Sequence, residues 1–155
     1  MSVFFVFLII AIIIGIYMLI NYIFESIFLH TIAKENHYKY PITSWIPFYN
    51  KCILGRIADK KGLGIALSII DIFSLILIII SYRITTLPGV MNTIIFLLII
   101  LLIVLNFIFN LVLSHNIMKK VTLKFADILT ILNVLTLGFS RSIILFIMRN
   151  RKELR

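Results

Sequence analysis

Three uninterrupted apolar stretches, Val3 to Phe24, Leu63 to Tyr82 and Val90 to Leu113, each reach the roughly 20 residues that a helix needs to cross a ~30 Å hydrocarbon layer. In lipid every backbone N–H and C=O must be paired within the chain, so segments this long and this apolar have to span as helices. The expected class is an all-α integral membrane protein, with residues 1–155 forming a single membrane domain. At 62% hydrophobic residues and a mean hydropathy of +1.15, the chain lies beyond the soluble range of about 45–50% apolar. That leaves no room for a soluble catalytic domain. The start, Met1-Ser2-Val3-Phe4-Phe5, lacks the basic n-region of a secretory signal, so the first apolar run is expected to be retained as a span.

The formal charge of +9 would suit nucleic acid, but its placement points elsewhere. Fourteen of the fifteen Lys and Arg fall in three clusters. One runs from Lys34 to Lys61, a second comprises Lys119, Lys120 and Lys124, and the third extends from Arg141 to Arg155, with Arg83 alone between the second and third spans. The positive-inside rule makes the first two clusters cytoplasmic and puts the N-terminus outside a bacterial cell membrane. The expected partner of these charges is a bilayer with anionic headgroups, and no nucleic acid.

A fourth apolar segment, Phe125 to Met148, conflicts with that rule, because a full crossing would carry the basic tail outside. It also contains Arg141, and a central arginine costs roughly 2.5–3.5 kcal/mol on insertion scales. Gly138-Phe139-Ser140 is a natural break. The expectation is three spans plus a C-terminal re-entrant or interfacial helical hairpin with arms Phe125 to Leu137 and Ser142 to Met148; the alternative is four transmembrane helices.

The interfacial segment 26–61 is the least lipid-like part of the chain. Ser26 to Asn36 should prolong the first helix until Pro41 ends it. A short helix to about Ala58 should follow, with Thr43 or Ser44 as its N-cap and Pro47 in its first turn. Tyr38, Tyr40, Trp45 and Tyr49 suit the headgroup level, where Lys51 and Arg56 reach phosphates. The segment is read either as an in-plane anchor or as an element docked between the spans.

The run Trp45-Ile46-Pro47-Phe48-Tyr49-Asn50 resembles the tryptophan, isoleucine-proline and tyrosine-asparagine signature of a family of small uncharacterised bacterial multi-pass membrane proteins, some found with signal peptidase sequences. The order of elements is similar too, although the family's Gly-Lys-Pro and tryptophan pair are replaced here by Asp59 to Gly64. The resemblance implies architecture and a structural role for Trp45, Pro47, Tyr49 and Asn50.

Polar residues inside the spans form the candidate site. Asp71 sits near the middle of the second span, on a face with Gly64, Ser68, Ser74 and Ser81. The third span carries Asn92, Asn106, Asn110 and Ser114 within about 80° of one another on a helical wheel. These two stripes are expected to face each other, with Arg141 or Arg56 as an ionic partner for Asp71. Such residues either hold helices together, at about 0.6–2 kcal/mol per hydrogen bond, or line an ion path. Ala11 and Gly15 offer a small-residue contact in the first span. Glu25 is expected to reach the interface and pair with Lys34 or a headgroup, Asp127 to cap the last apolar segment, and His115 to sit with Asn116 at the interface.

No nucleophile stands beside a base, Cys52 is the one cysteine, and no Cys/His cluster has metal-ligand spacing, so no enzyme activity and no cofactor or metal are expected. Two functions remain. One is a structural or accessory protein acting through lipid, a membrane-protein partner or a homo-oligomer. The other is a small transporter, channel subunit or holin-like permeation protein that uses Asp71, Asn106 and Asn110.

Overall fold

A computed structural model describes residues 3–83 and 89–154, and among these every regular element is helical. The order is α1 (Val3–Glu35), a 3-10 turn (Pro41–Trp45), α2 (Tyr49–Ile57), α3 (Lys61–Arg83), α4 (Gly89–Val121), α5 (Ala126–Leu135), α6 (Phe139–Met148) and a last 3-10 turn (Lys152–Leu154). Helices α1, α3 and α4 are long and apolar enough to cross a membrane. The protein is an all-α membrane protein.

Both α1 and α4 run to 33 residues, about 50 Å at 1.5 Å per residue, and so continue well past their apolar stretches. The extra turns at Ser26–Glu35 and Ser114–Val121 carry much of the core: Phe28, Leu29, Ile32, Ile117 and Met118 are fully buried. Three helices end alike. His37, Asp59 and Leu137 adopt positive φ, and the next residue in each case donates back to the carbonyl five positions earlier: Tyr38 to Ala33 (2.9 Å), Lys60 to Gly55 (2.8 Å) and Gly138 to Asn133 (2.7 Å). This is the Schellman arrangement, here built on non-glycine residues at the left-handed position.

The loop after α1 departs from expectation in its start. Ser44 and Thr43 do not cap α2; their hydroxyls donate to the Pro41 and Tyr40 carbonyls within the 3-10 turn. Pro47 lies ahead of α2 rather than in its first turn, because a residue before proline is pushed out of the helical region, and Ile46 is indeed extended (φ −87°, ψ 119°). Phe48, at φ 68°, then turns the chain into α2. This helix is docked, not peripheral: Asn50, Ile53, Leu54, Gly55 and Ile57 are buried against α1 and α3. Its crossing with α3 is close enough that a Cβ added to Gly55 would lie 2.6 Å from the Gly64 Cα.

The C-terminal apolar segment is a hairpin, as the charge pattern requires. Its break falls at Thr136–Gly138, two residues earlier than expected, since Leu137 and Gly138 (φ 51° and 87°) form the turn. Thr136 Oγ1 accepts the Ser140 N–H at 3.1 Å and so starts α6 at Phe139. Arm α5 packs on α4, where His115 Nδ1 meets Thr130 Oγ1 at 2.8 Å. Arm α6 packs on α1, with Phe24 stacked on Phe146 (4.8 Å between centroids) and Tyr17 edge-on to Phe139 (4.6 Å). The tip reaches Tyr17 and Phe107, and the chain returns so that Asn36 donates to the Leu154 carbonyl at 2.8 Å. Asp127 is exposed in the first turn of α5 and caps nothing; Phe125 holds the cap position.

Candidate functional site: a polar relay across five helices

Helix α1 presents Glu25 where its apolar stretch ends, four residues, or roughly one turn, beyond Asn21. The carboxylate is buried, with 4% of the residue exposed. It is held by Lys51 of α2, Nζ to Oε1 2.9 Å, and by Arg141 of α6, whose Nη2 donates to Oε2. A buried carboxylate is stable only when paired and hydrogen-bonded, and each oxygen here has its own cation. Sequence reasoning misplaced Glu25 at the interface with Lys34. It could not see that α2 and α6, far away in the chain, would close over that turn of α1.

From Arg141 the relay continues into the spans. Arg141 Nη1 donates to Asn110 Oδ1; Asn110 Nδ2 donates to Asn106 Oδ1 at 2.7 Å; Asn106 Nδ2 donates to Asp71 Oδ1. The spacing on α4 explains the middle steps. Asn106 and Asn110 are four residues apart and stack on one face, and Ser114 extends the row by donating to the Asn110 carbonyl at 2.7 Å. The structure thus brings together Asp71, Asn106, Asn110 and Arg141, and adds Glu25 and Lys51. Every helix except α5 contributes at least one member. Lys51, outside the spans, has its pKa lowered by burial, against the opposing pull of the Glu25 carboxylate.

Other expected members lie elsewhere. Gly64 faces α2 rather than α4, and Ser68 donates to the Phe48 carbonyl, because the glycine crossing claims that end of α3. Ser74 is half-buried and Ser81 exposed, while the Asn92 side chain lies outside the described residues. Arg56 is no partner of Asp71; its guanidinium stands 6.0 Å from the Tyr38 ring centre. Burial raises the Tyr38 pKa, the Arg56 charge opposing. Space is open beside Gly15, with nothing within 4 Å of where a Cβ would stand, so no described helix packs closely on that glycine. In the motif, Trp45, Pro47 and Tyr49 are exposed and Asn50 buried. The Trp45 carbonyl accepts the Tyr22 hydroxyl, tying the motif to α1.

Two open cavities flank Arg141. One, of about 290 Å³, is bordered by Tyr17, Asn21, Glu25 and Lys51. The other, of about 410 Å³, has Asn106, Asn110, Asn133 and Arg141 as its polar lining, and Met18, Ile103 and Phe107 among its apolar walls. Neither a family model, nor a curated protein, nor a solved structure matches the chain.

Proposed function

We propose that this is a structural or accessory protein of a bacterial cytoplasmic membrane, acting through contacts with lipid and with other membrane proteins. The observation that carries the reading is the closed relay from Lys51 to Asp71. Its two cations and two carboxylates balance, and each member is hydrogen-bonded to the next across five helices, which suits a lock between helices better than a water-filled path. The lock holds the α5–α6 hairpin on α1 and α4. By the positive-inside rule the basic end, with Lys34, Lys60, Lys61, Lys119, Lys120 and Arg149 to Lys152, faces the cytoplasm, and the N-terminus is outside. The resemblance of Trp45 to Asn50 to the family signature supports a bacterial membrane setting.

The test is membrane potential, followed with a voltage-sensitive dye in bacteria expressing wild type or Asp71→Asn at matched membrane levels. An accessory protein leaves the potential unchanged in both strains. Collapse with wild type but not with Asp71→Asn overturns the reading and establishes a permeation protein with Asp71 in its path.

A further inference from the structure

We propose that the larger cavity is a binding site for one anionic phospholipid, with Arg141 and Asn133 recognising its phosphate and glycerol region. Three observations meet there. First, Arg141 borders the cavity, and no carboxylate is among its lining residues; the Arg141 fork has five N–H donors, of which Asn110 and Glu25 engage one each from Nη1 and Nη2. Second, Asn133 is 1% exposed and its Oδ1 has no hydrogen-bond partner among the described residues. A buried amide left in that state is costly, and Asn133 lines the cavity, where its NH2 end offers a donor to a phosphoryl oxygen. Third, the walls are apolar and open outward: Met18 is 66% and Ile103 58% exposed, which gives acyl chains a path out of the cavity along α1 and α4. Asn110 is only three residues inside the end of the expected third span, so a phosphate at Arg141 stands near headgroup depth.

Charge selects among lipids. Among the described residues Arg141 is the one charged residue lining this cavity, its Glu25 partner bordering the other one, so a headgroup of net negative charge fits, whereas a zwitterionic one brings a second cation toward Arg141. A soluble glycerol phosphate shares the polar chemistry and lacks the chains. The assignment rests on the accessory reading, for which it names one lipid contact, and its test is independent of ion flux and of any protein partner.

Arg141→Gln would also break the pair with Glu25, so the test uses Met18→Trp, which fills the cavity mouth, and Asn133→Leu, which removes the amide. The full-length protein in detergent is titrated with phosphatidylglycerol, phosphatidylcholine or glycerol 3-phosphate and examined by native mass spectrometry. The expected result is one retained phosphatidylglycerol, preferred about tenfold over phosphatidylcholine, with each variant weakening retention about tenfold. Three results overturn the proposal: equal retention of the two lipids, phosphatidylglycerol retention unchanged by both variants, which assigns the lipid to the basic surface, or displacement by glycerol 3-phosphate, which makes the ligand a soluble one.

Discussion

The two ends of this molecule are built on opposite principles. At the basic end, α1, α2, α4 and both arms of the hairpin converge on a core that includes Leu29, Leu54, Leu113, Met118 and Leu145, all fully buried. Toward the other end, α1 from Phe5 to Ile16 and α3 and α4 from Ile72 to Ile80 and Met91 to Val104 leave most of their large apolar side chains exposed. In water such a surface would drive association. In lipid, exposing an isoleucine costs almost nothing, since acyl chains are as apolar as the side chain, and packing and polar pairing must hold helices together instead. Specific structure is therefore concentrated where polar groups and close backbone contacts are found.

Substitutions at the two ends should differ accordingly. The largest loss is expected from Glu25→Gln, which leaves Lys51 and Arg141 buried without their shared carboxylate; removing one partner of a buried pair costs about 3–5 kcal/mol. Thermal unfolding in detergent should show it, and a midpoint near wild type would mean that the charges escape to water. Next comes Gly55→Ala. The new methyl would meet Gly64 backbone at 2.6 Å, and overpacking of this kind costs about 1–3 kcal/mol; separation of α2 from α3 would appear as faster amide exchange in Lys51–Ile57. Smallest is Ile13→Leu on the exposed half of α1, expected to change stability by less than about 0.5 kcal/mol. A large loss there would reveal a protein neighbour on that face.

The same contrast explains what was legible in the sequence. The spans were readable because a long apolar run has one solution in a bilayer. The hairpin was readable because the tail charges and Arg141 both argued against a fourth crossing. Asp71, Asn106, Asn110 and Arg141 stood out as polar residues in apolar surroundings, and the structure links them in that order from α3 to α6. Glu25 was missed because it lies at the end of its apolar run, where solvation is the ordinary outcome, and its partners are 26 and 116 residues away. Gly55 was missed for a related reason: a single glycine in a nine-residue helix says nothing of what crosses it. One signal for Glu25 was available: it is the one carboxylate in the apolar part of α1, while the chain carries fifteen Lys and Arg against six Asp and Glu, so an inward cation was at hand. The start of α2 was misread because Pro47 can open a helix or bar one, and only Ile46 in its extended conformation decides between them.

The central claim is that α5 and α6 enter from the basic end and return to it, placing Lys152–Leu154 beside Asn36. Alkaline phosphatase and green fluorescent protein fused in turn after the last residue, Arg155, test this most directly in a bacterial host. Fluorescence with an inactive phosphatase is the predicted result; an active phosphatase with a dark fluorescent fusion would mean that the last apolar segment crosses the membrane, and would contradict the hairpin and the relay built on it.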